Sequence, residues 1–499
     1  MTAWLDRLDH DDEARLAAAW AAAVLLVVAP AAGTSPDGLE MLALGRSWLG
    51  GAATLDPAFW PPLWPLLVSP LSLAADPLAW ARLLNIGLAA AVALPLFHLS
   101  RLLSGRGPAR LAVVAWILLP AVREHAAVLD ARPLGWLLAI GATAAVARAT
   151  SEGRSWGWAF AAAALAPLAR PEGLAIPVLV ALAWLVSARR APAAAGALVA
   201  MLLPAGAWKL LGPPSQSWSA LAEAWYSTWT LTELMTLYGP ASLPTGYRAF
   251  VLDLVASGAE SVDRNPLLML RASPASLAWA GLGLHGALGT VGLLAAGAGV
   301  VRVALRSSWH AVSVLLVFAP LAAVALVPAS TGQSTAAANV LFAVPLLLVG
   351  LTALPARAAA AAIAVAVIEV HLSPARPAPP GFHEGSQTSR TAQAWLEAHP
   401  GDSGVVYGGL EVRGLTQAAG LEHAPLPTAW EPFAPRPGSR VLVSSVSLGG
   451  ADGGRALGLL EDPSWEVAFV TREGAERAWR VDRQEVDAPY WIAVLRPRG

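Results

Sequence analysis

Long apolar runs alternate along this chain with short segments where charge and proline gather. A membrane helix needs about 20 mostly apolar residues. Stretches near 14–32, 78–100, 108–122, 133–148, 156–169, 172–187, 192–211, 276–300, 309–328, 338–354 and 356–372 approach that, predicting about eleven spans. They are rich in Ala, Gly and Ser, residues that let helices approach closely in a bilayer. Arginine fills alternate connections: Arg101, Arg106 and Arg110, then Arg148 and Arg154, Arg189 and Arg190, Arg302 and Arg306, and Arg357. With every span counted, all lie on one side. The positive-inside rule makes that side cytoplasmic, with the N-terminus inside and the C-terminal segment outside.

The outer side then carries the bulk: a loop at 33–77, another at 212–275, and the tail. The second loop contains SWSALAEAWYSTWTLTELMTLYG, whose aromatic pattern suits a helix lying at the membrane interface. After the transmembrane domain (1–372), a Pro-rich linker at 373–384 opens with SPARPAPPG. Beyond it the pattern changes. SQTSRTAQAWLEAHP reads as helix, GVVYGG as strand, LEVRGLTQAAG as helix and RVLVSSV as strand. GGRALGLLED then reads as helix, with WEVAFV and YWIAVLRP as strands. Residues 385–499 are thus expected to form a small soluble α/β domain. The predicted class is mostly α: a polytopic helical membrane protein with a small C-terminal α/β domain outside.

Composition agrees. Of 499 residues, 56% are hydrophobic and only 13% charged, with a mean hydropathy of +0.55, against about 25% charged in soluble domains. Acids and bases nearly cancel, 34 against 33, so net charge gives no sign of a nucleic-acid partner. There is no cysteine, which excludes disulfides and thiolate metal sites. The N-terminus MTAWLDRLDHDDEARL is mixed in charge, unlike a cleavable signal, so the first apolar run is read as a retained span.

Polar groups at membrane edges are functional candidates. Asp37 and Glu40 follow the first span. Arg123, Glu124, His125, Asp130 and Arg132 sit in VREHAAVLDARPLG, and Arg170 and Glu172 in LARPEGLAIP. All three turns fall on the outer side. Arginines suit an anionic ligand and a carboxylate can serve as base. Each group also has a plainer role. Asp37 could be a solvated helix end, Arg170 and Glu172 a loop-stabilising ion pair, and His125 a structural imidazole. No second histidine stands at metal-ligand spacing.

Taken together, these elements resemble the GT-C superfamily, membrane glycosyltransferases that use polyprenyl-phosphate sugars, such as protein mannosyltransferases and aminoarabinose transferases. PDGLEMLALGRSWLGG resembles the family's first external loop. FWPPLWPLLVSPLSL resembles its Pro-rich segment, and ARLLNIGLAAAVALPLFHLSRLL the next span. LDARPLGWLL and LAPLARPEGLAIPVLVAL resemble later acid–x–Arg–Pro and Arg–Pro turns. The likeness runs in order from residue 14 to about 355. It implies transfer of a sugar from a polyprenyl-phosphate donor to an acceptor hydroxyl, with Asp37 as general base. Glu40, Asp130, Arg132, Arg170 and Glu172 would bind substrate, Arg170 near the donor phosphate. Many members carry an Arg–Tyr pair opening a late span, whereas STGQSTAAANVLFAVPLLLVG offers Gln333 and Asn339; Lys209 or Arg248 would supply the missing phosphate contact. The family has metal-dependent and metal-independent branches, and this chain reads as metal-independent, with no cofactor beyond the lipid-linked co-substrate. The implied setting is a bacterial inner membrane. The expected partners are membrane lipid, a polyprenyl-linked sugar and a glycan, lipid or protein acceptor. The rival reading is a catalytically inactive member of the scaffold acting in lipid binding or envelope assembly. A transporter is disfavoured, since no internal repeat appears and the charges sit at the outer edge.

Overall fold

The computed structural model describes residues 9–28, 38, 41–42, 44–45, 48–49, 61–74, 76–211, 266–305, 310–326, 343–372, 387–409, 412, 415–416, 419–426, 433–444, 453–472, 475–477 and 491–498. They fall into two compact units. One takes 9–28, 41–211 and 266–372; the other takes everything from 387 onward, together with Gly38.

The first unit is helical: α1 (His10–Val28), α2 (Leu63–Val68), α3 (Pro77–Ala91), α4 (Ala93–Ser104), α5 (Arg106–Leu118), α6 (Pro120–Ala127), α7 (Arg132–Ser151) and α8 (Gly157–Ala169). A 3-10 turn (Pro171–Leu174) leads to α9 (Ala175–Ala188), α10 (Ala191–Leu211), α11 (Pro266–Ala304), α12 (His310–Leu326), α13 (Val344–Thr352) and α14 (Ala356–Leu372). A helix lies on each of the eleven predicted stretches. By length and composition, Pro77–Ser104, Arg132–Ser151, Ala191–Trp208 and Gly283–Ala304 are long and apolar enough to cross a membrane. Leu63–Leu73, Gly157–Ala169, Glu172–Ala188 and Ala311–Leu321 are apolar but shorter.

The local signals are physical. Asp76 accepts the Ala79 amide to cap α3, Gly105 breaks α4 from α5 at φ +96°, and proline opens α6 and the turn at 171. Outward faces carry large apolar groups, Trp20, Trp80, Trp158, Leu203 and Leu294 among them. Such a surface is costly in water and suits hydrocarbon.

Polar side chains collect at the two ends. At one end the start of α1 meets the arginines: Glu13 accepts from Arg110 (2.6 Å) and lies 3.7 Å from Arg106. Asp11 lies 3.7 Å from Arg148, and Glu152 pairs with Arg101, Arg148 and Arg154 at 3.0–3.6 Å. Arginines from two predicted connections thus share one end of the bundle.

Two glycine contacts fix the later helices. A Cβ on Gly299 of α11 would lie 1.7 Å from the Gly350 carbonyl oxygen of α13. Backbones meet there as only small residues allow. Gly289 breaks α11 at φ +66°. The new helix start is capped from α14 by Glu369, which accepts the amides of Thr290 (2.8 Å) and Val291 (3.2 Å). Gly299→Ala is expected to destabilise the protein by about 1–3 kcal/mol through overpacking. Gly297, two residues away, has nothing within 4 Å of a built Cβ, so Gly297→Ala is neutral or mildly stabilising. Thermal unfolding of the detergent-purified variants, side by side, reads the difference.

The second unit is a mixed six-stranded sheet in the order β2-β1-β3-β6-β4-β5. Its strands are β1 (Val405–Gly408), β2 (Glu422–Pro425), β3 (Arg440–Ser444), β4 (Trp465–Arg472), β5 (Ala475–Arg477) and β6 (Trp491–Pro497). β1 runs parallel to β2 and β3, while β6 is antiparallel to β3 and β4. α15 (Gln387–Ala398) packs Ala392 and Leu396 onto one face with Val406, Leu442 and Phe469. α16 (Gly453–Glu461) packs Ala456 and Leu459 onto the other with Val443 and Trp491. Two covered faces make this an α/β layer arrangement. Of the helix expected over 410–420, Leu415 and Thr416 are helical among the described residues.

Candidate functional site

Between α6 and α7 the chain leaves the helix in extended form at Val128 (φ −85°, ψ 139°) and re-enters at Arg132–Pro133. Asp130 lies in this corner. Its Oδ1 accepts the Arg132 amide at 3.0 Å, satisfying a donor that the start of α7 would otherwise leave open. Forty residues on, α8 ends at Arg170, whose extended backbone (φ −154°, ψ 147°) turns the chain into the 3-10 segment. Gly173 makes that turn possible, since a Cβ there would sit 2.2 Å from the Ala166 carbonyl oxygen. The aliphatic stem of Arg170 lies on α7 at Gly135, 3.4 Å from where a Cβ would be.

The two corners meet. Arg132 bonds Asp130 Oδ2 through its guanidinium, and Arg170 Nη1 donates to Asp130 Oδ1 at 3.2 Å. Arg170 also donates to both carboxylate oxygens of Glu172, at 3.1 and 2.9 Å. Arg132 Nη1 lies 3.1 Å from His125 Nδ1, and that ring packs edge-on to Trp136 at 5.9 Å. Four of the predicted site residues, Asp130, Arg132, Arg170 and Glu172, thus form one cluster with His125. Asp130 and Glu172 are buried, while the side chains of Arg132 and Arg170 stay 12% and 17% exposed. Each arginine therefore keeps a small accessible edge.

His125 and Asp130 flank the corner between α6 and α7, and their electrostatics are set by the groups around them. Burial alone would raise the Asp130 carboxyl, but Arg132 and Arg170 outweigh it and hold the group below the ordinary carboxylate range. Burial, and then the Arg132 cation, push His125 down to about 3. His125 is thus neutral, with Nδ1 accepting from Arg132 and the proton on Nε2. Among the described residues, two acids, Asp130 and Glu172, face the two guanidiniums. Asp130, ionised and already bonded to both arginines, holds them in place and is poorly suited to act as a base. The plainer reading of Arg170 and Glu172 as an ion pair is therefore part of the structure, and it fixes the rotamer of an arginine that still shows one edge.

Asp37, Glu40 and Arg248 lie outside the described residues, as do Gln333 and Asn339. Lys209 lies in the last turn of α10. Just past Glu40, Met41, Leu42 and Leu44 are buried, and a Cβ on Gly45 would lie 2.7 Å from the Pro65 carbonyl oxygen of α2. Among the described residues, no three His, Asp or Glu side chains gather as metal ligands. Both oxygens of Asp130 are taken by arginines.

Asn85 was not singled out from sequence. It lies on α3, fully buried, and donates to the carbonyl oxygens of Val128 (2.6 Å) and Asp130 (2.9 Å) while accepting from Trp64 Nε1 (3.0 Å). The available signal was a lone amide inside the apolar run LLNIGLAAA.

No family model matches the chain, and no curated protein matches it. Solved structures do. The apo crystal structure of the Archaeoglobus fulgidus oligosaccharyltransferase superposes with a TM-score of 0.53 at 11% identity, over 95% of this chain and 75% of that one. The same protein with Zn and sulfate gives 0.51 at 11% identity over 95% and 74%. The oligosaccharyltransferase AglB from that organism, in complex with an inhibitory peptide and a dolichol-phosphate, gives 0.50 at 11% identity over 94% and 75%. At this identity the likeness is one of fold.

Proposed function

We propose that this chain, which shares the GT-C fold of an archaeal oligosaccharyltransferase, is an integral-membrane glycosyltransferase. It moves a sugar from a polyprenyl-phosphate donor to an acceptor hydroxyl on the extracytoplasmic face of a bacterial inner membrane. The observation that carries this reading is the buried Asp130–Arg132–Arg170–Glu172 cluster, assembled from two separate turns at one end of the helical unit. α1 starts among the arginines at the other end, so it finishes at the end where Asp130 lies. Asp37 follows that exit by nine residues.

The chemistry follows from these positions. The acceptor oxygen attacks the anomeric carbon as the bond from that carbon to the phosphate oxygen breaks. Asp37 takes the hydroxyl proton. The exposed edges of Arg132 and Arg170 meet the charge growing on the departing phosphate. Because Asp130 and Glu172 already hold both guanidiniums in place, little side-chain entropy is lost on binding. The dolichol-phosphate held by AglB supports a lipid-linked donor, and its inhibitory peptide supports a polypeptide among the acceptors.

Purified protein in nanodiscs is expected to bind polyprenyl phosphate saturably and in preference to neutral polyprenol. Arg170→Gln should weaken that binding roughly 10- to 100-fold, the worth of a charged hydrogen bond. Titration followed by tryptophan fluorescence measures both. No binding, or equal affinity for the neutral polyprenol, would overturn the reading. The rival, an inactive lipid-binding scaffold, draws on the fact that both arginines already have carboxylate partners. It too predicts binding, so turnover decides between them.

A further inference from the structure

The Asp130 corner is held from outside its own segment. We propose that Asn85 is a positioning residue for the acid–arginine cluster, and that through Trp64 it ties α2 to that cluster. The role rests on the glycosyltransferase reading above.

Three hydrogen bonds define it. Both amide hydrogens of Asn85 are used, one on the Val128 carbonyl and one on the Asp130 carbonyl, and its oxygen takes the Trp64 indole N–H. The orientation is fixed by its partners. Reversing the amide would set oxygen against two carbonyls and N–H against N–H. The two carbonyls bracket Leu129 in the extended stretch between α6 and α7, where the backbone needs donors from elsewhere. Asp130 is therefore held at both ends, its carbonyl by Asn85 and its carboxylate by Arg132 and Arg170.

The link continues away from the cluster. Trp64 is fully buried on α2, within FWPPLWPLLVSPLSL, in the loop predicted over 33–77 that also holds Asp37 and Glu40. Gly45 of the same loop packs on α2 at Pro65 and Ser69. One run of contacts thus leads from Gly45 through α2, Trp64 and Asn85 to Asp130 and the two arginines. A polar side chain spent in this way inside an apolar helix is costly unless its bonds are made, and here all three are. Asn85 keeps α2 and the arginine edges in register.

The chain has no cysteine, which makes a single-thiol reporter clean. Val128→Cys places a thiol in the corner, where Val128 is 1% exposed. Asn85→Leu, of similar size, removes all three bonds. In full-length protein it is expected to raise maleimide labelling of the Val128→Cys reporter roughly tenfold, and to raise KM for the polyprenyl-linked donor by a similar factor. Trp64→Phe keeps a ring, loses one bond and shifts both readouts in the same direction by less, which keeps the test available if Asn85→Leu folds poorly. A variant that merely misfolds lowers the active fraction and so apparent kcat, leaving KM unchanged. Unchanged labelling, or a fall in apparent kcat at constant KM, would overturn the positioning role. Labelling needs no turnover. If no preparation transfers sugar, raised labelling still supports the Asn85 link while the transfer reading fails separately.

Discussion

Asp130→Asn is expected to cost about 3–5 kcal/mol of stability, the usual result of removing one partner from a buried ion pair. The substitution keeps the shape and deletes the charge. Arg132 and Arg170 would then lose the carboxylate they share, with Glu172 still on Arg170 and a neutral His125 beside Arg132. The cluster would lose one negative charge in a buried place. Glu172→Gln should cost less, because Arg170 keeps its bond to Asp130. Thermal unfolding of the purified variants checks the order, and equal melting of Asp130→Asn and wild type would contradict it. Acid should act in the same direction. The folded-state carboxyl of Asp130 is depressed, so its contribution is present above the ordinary carboxylate value and fades as pH falls through the folded value. His125 adds an earlier onset. Below its ordinary value of 6.5 and down to about 3, the unfolded chain takes a proton that the folded protein refuses, so stability falls across that window.

Asp37→Asn is expected to lower the rate of sugar transfer by roughly 10²–10⁴-fold, the contribution of a positioned general base. The amide keeps the size of the carboxylate and cannot accept the proton. Affinity for polyprenyl phosphate should hold, since the proposed phosphate contacts are the arginines. The expected pattern is therefore a large loss in kcat with little change in donor binding. Single-turnover transfer with saturating donor measures it. Glu40→Gln, three residues on, should lose less, as a substrate contact rather than the base.

Much of this architecture was legible in the sequence, for identifiable reasons. Apolar runs broken by Arg, Gly and Pro marked helices whose ends coincide with those breaks, as at Gly105 and Pro171, whereas the stretch read as one span over 108–122 is broken at Pro120, where α6 begins. Strands β1, β3, β4 and β6 announced themselves through Val, Ile and aromatic residues. β2 (EHAP) and β5 (AER) did not, because short strands at sheet edges are held by backbone pairing rather than by apolar side chains. At the site, Asp130, Arg132, Arg170 and Glu172 could be named from sequence, but not the bond between Asp130 and Arg170 across forty residues. That bond depends on how α7 and α8 pack, with Gly135 leaving room for the Arg170 stem. Asn85 and Gly173 were missed for a related reason. Their roles are steric and hydrogen-bonding relations with distant backbone, which no spacing rule encodes.

The central claim is that this chain transfers sugar from a lipid carrier with Asp37 as base. The most direct test is transfer of a radiolabelled sugar from polyprenyl-phosphate-linked donors by wild-type protein in proteoliposomes, with native membrane extract supplying acceptors and Asp37→Asn run alongside. The account predicts labelled product from wild type, released polyprenyl phosphate in equal amount, and a loss of at least about a hundredfold in the variant. Full transfer by Asp37→Asn, or no consumption of any lipid-linked sugar by a wild-type protein that still binds polyprenyl phosphate, would contradict it.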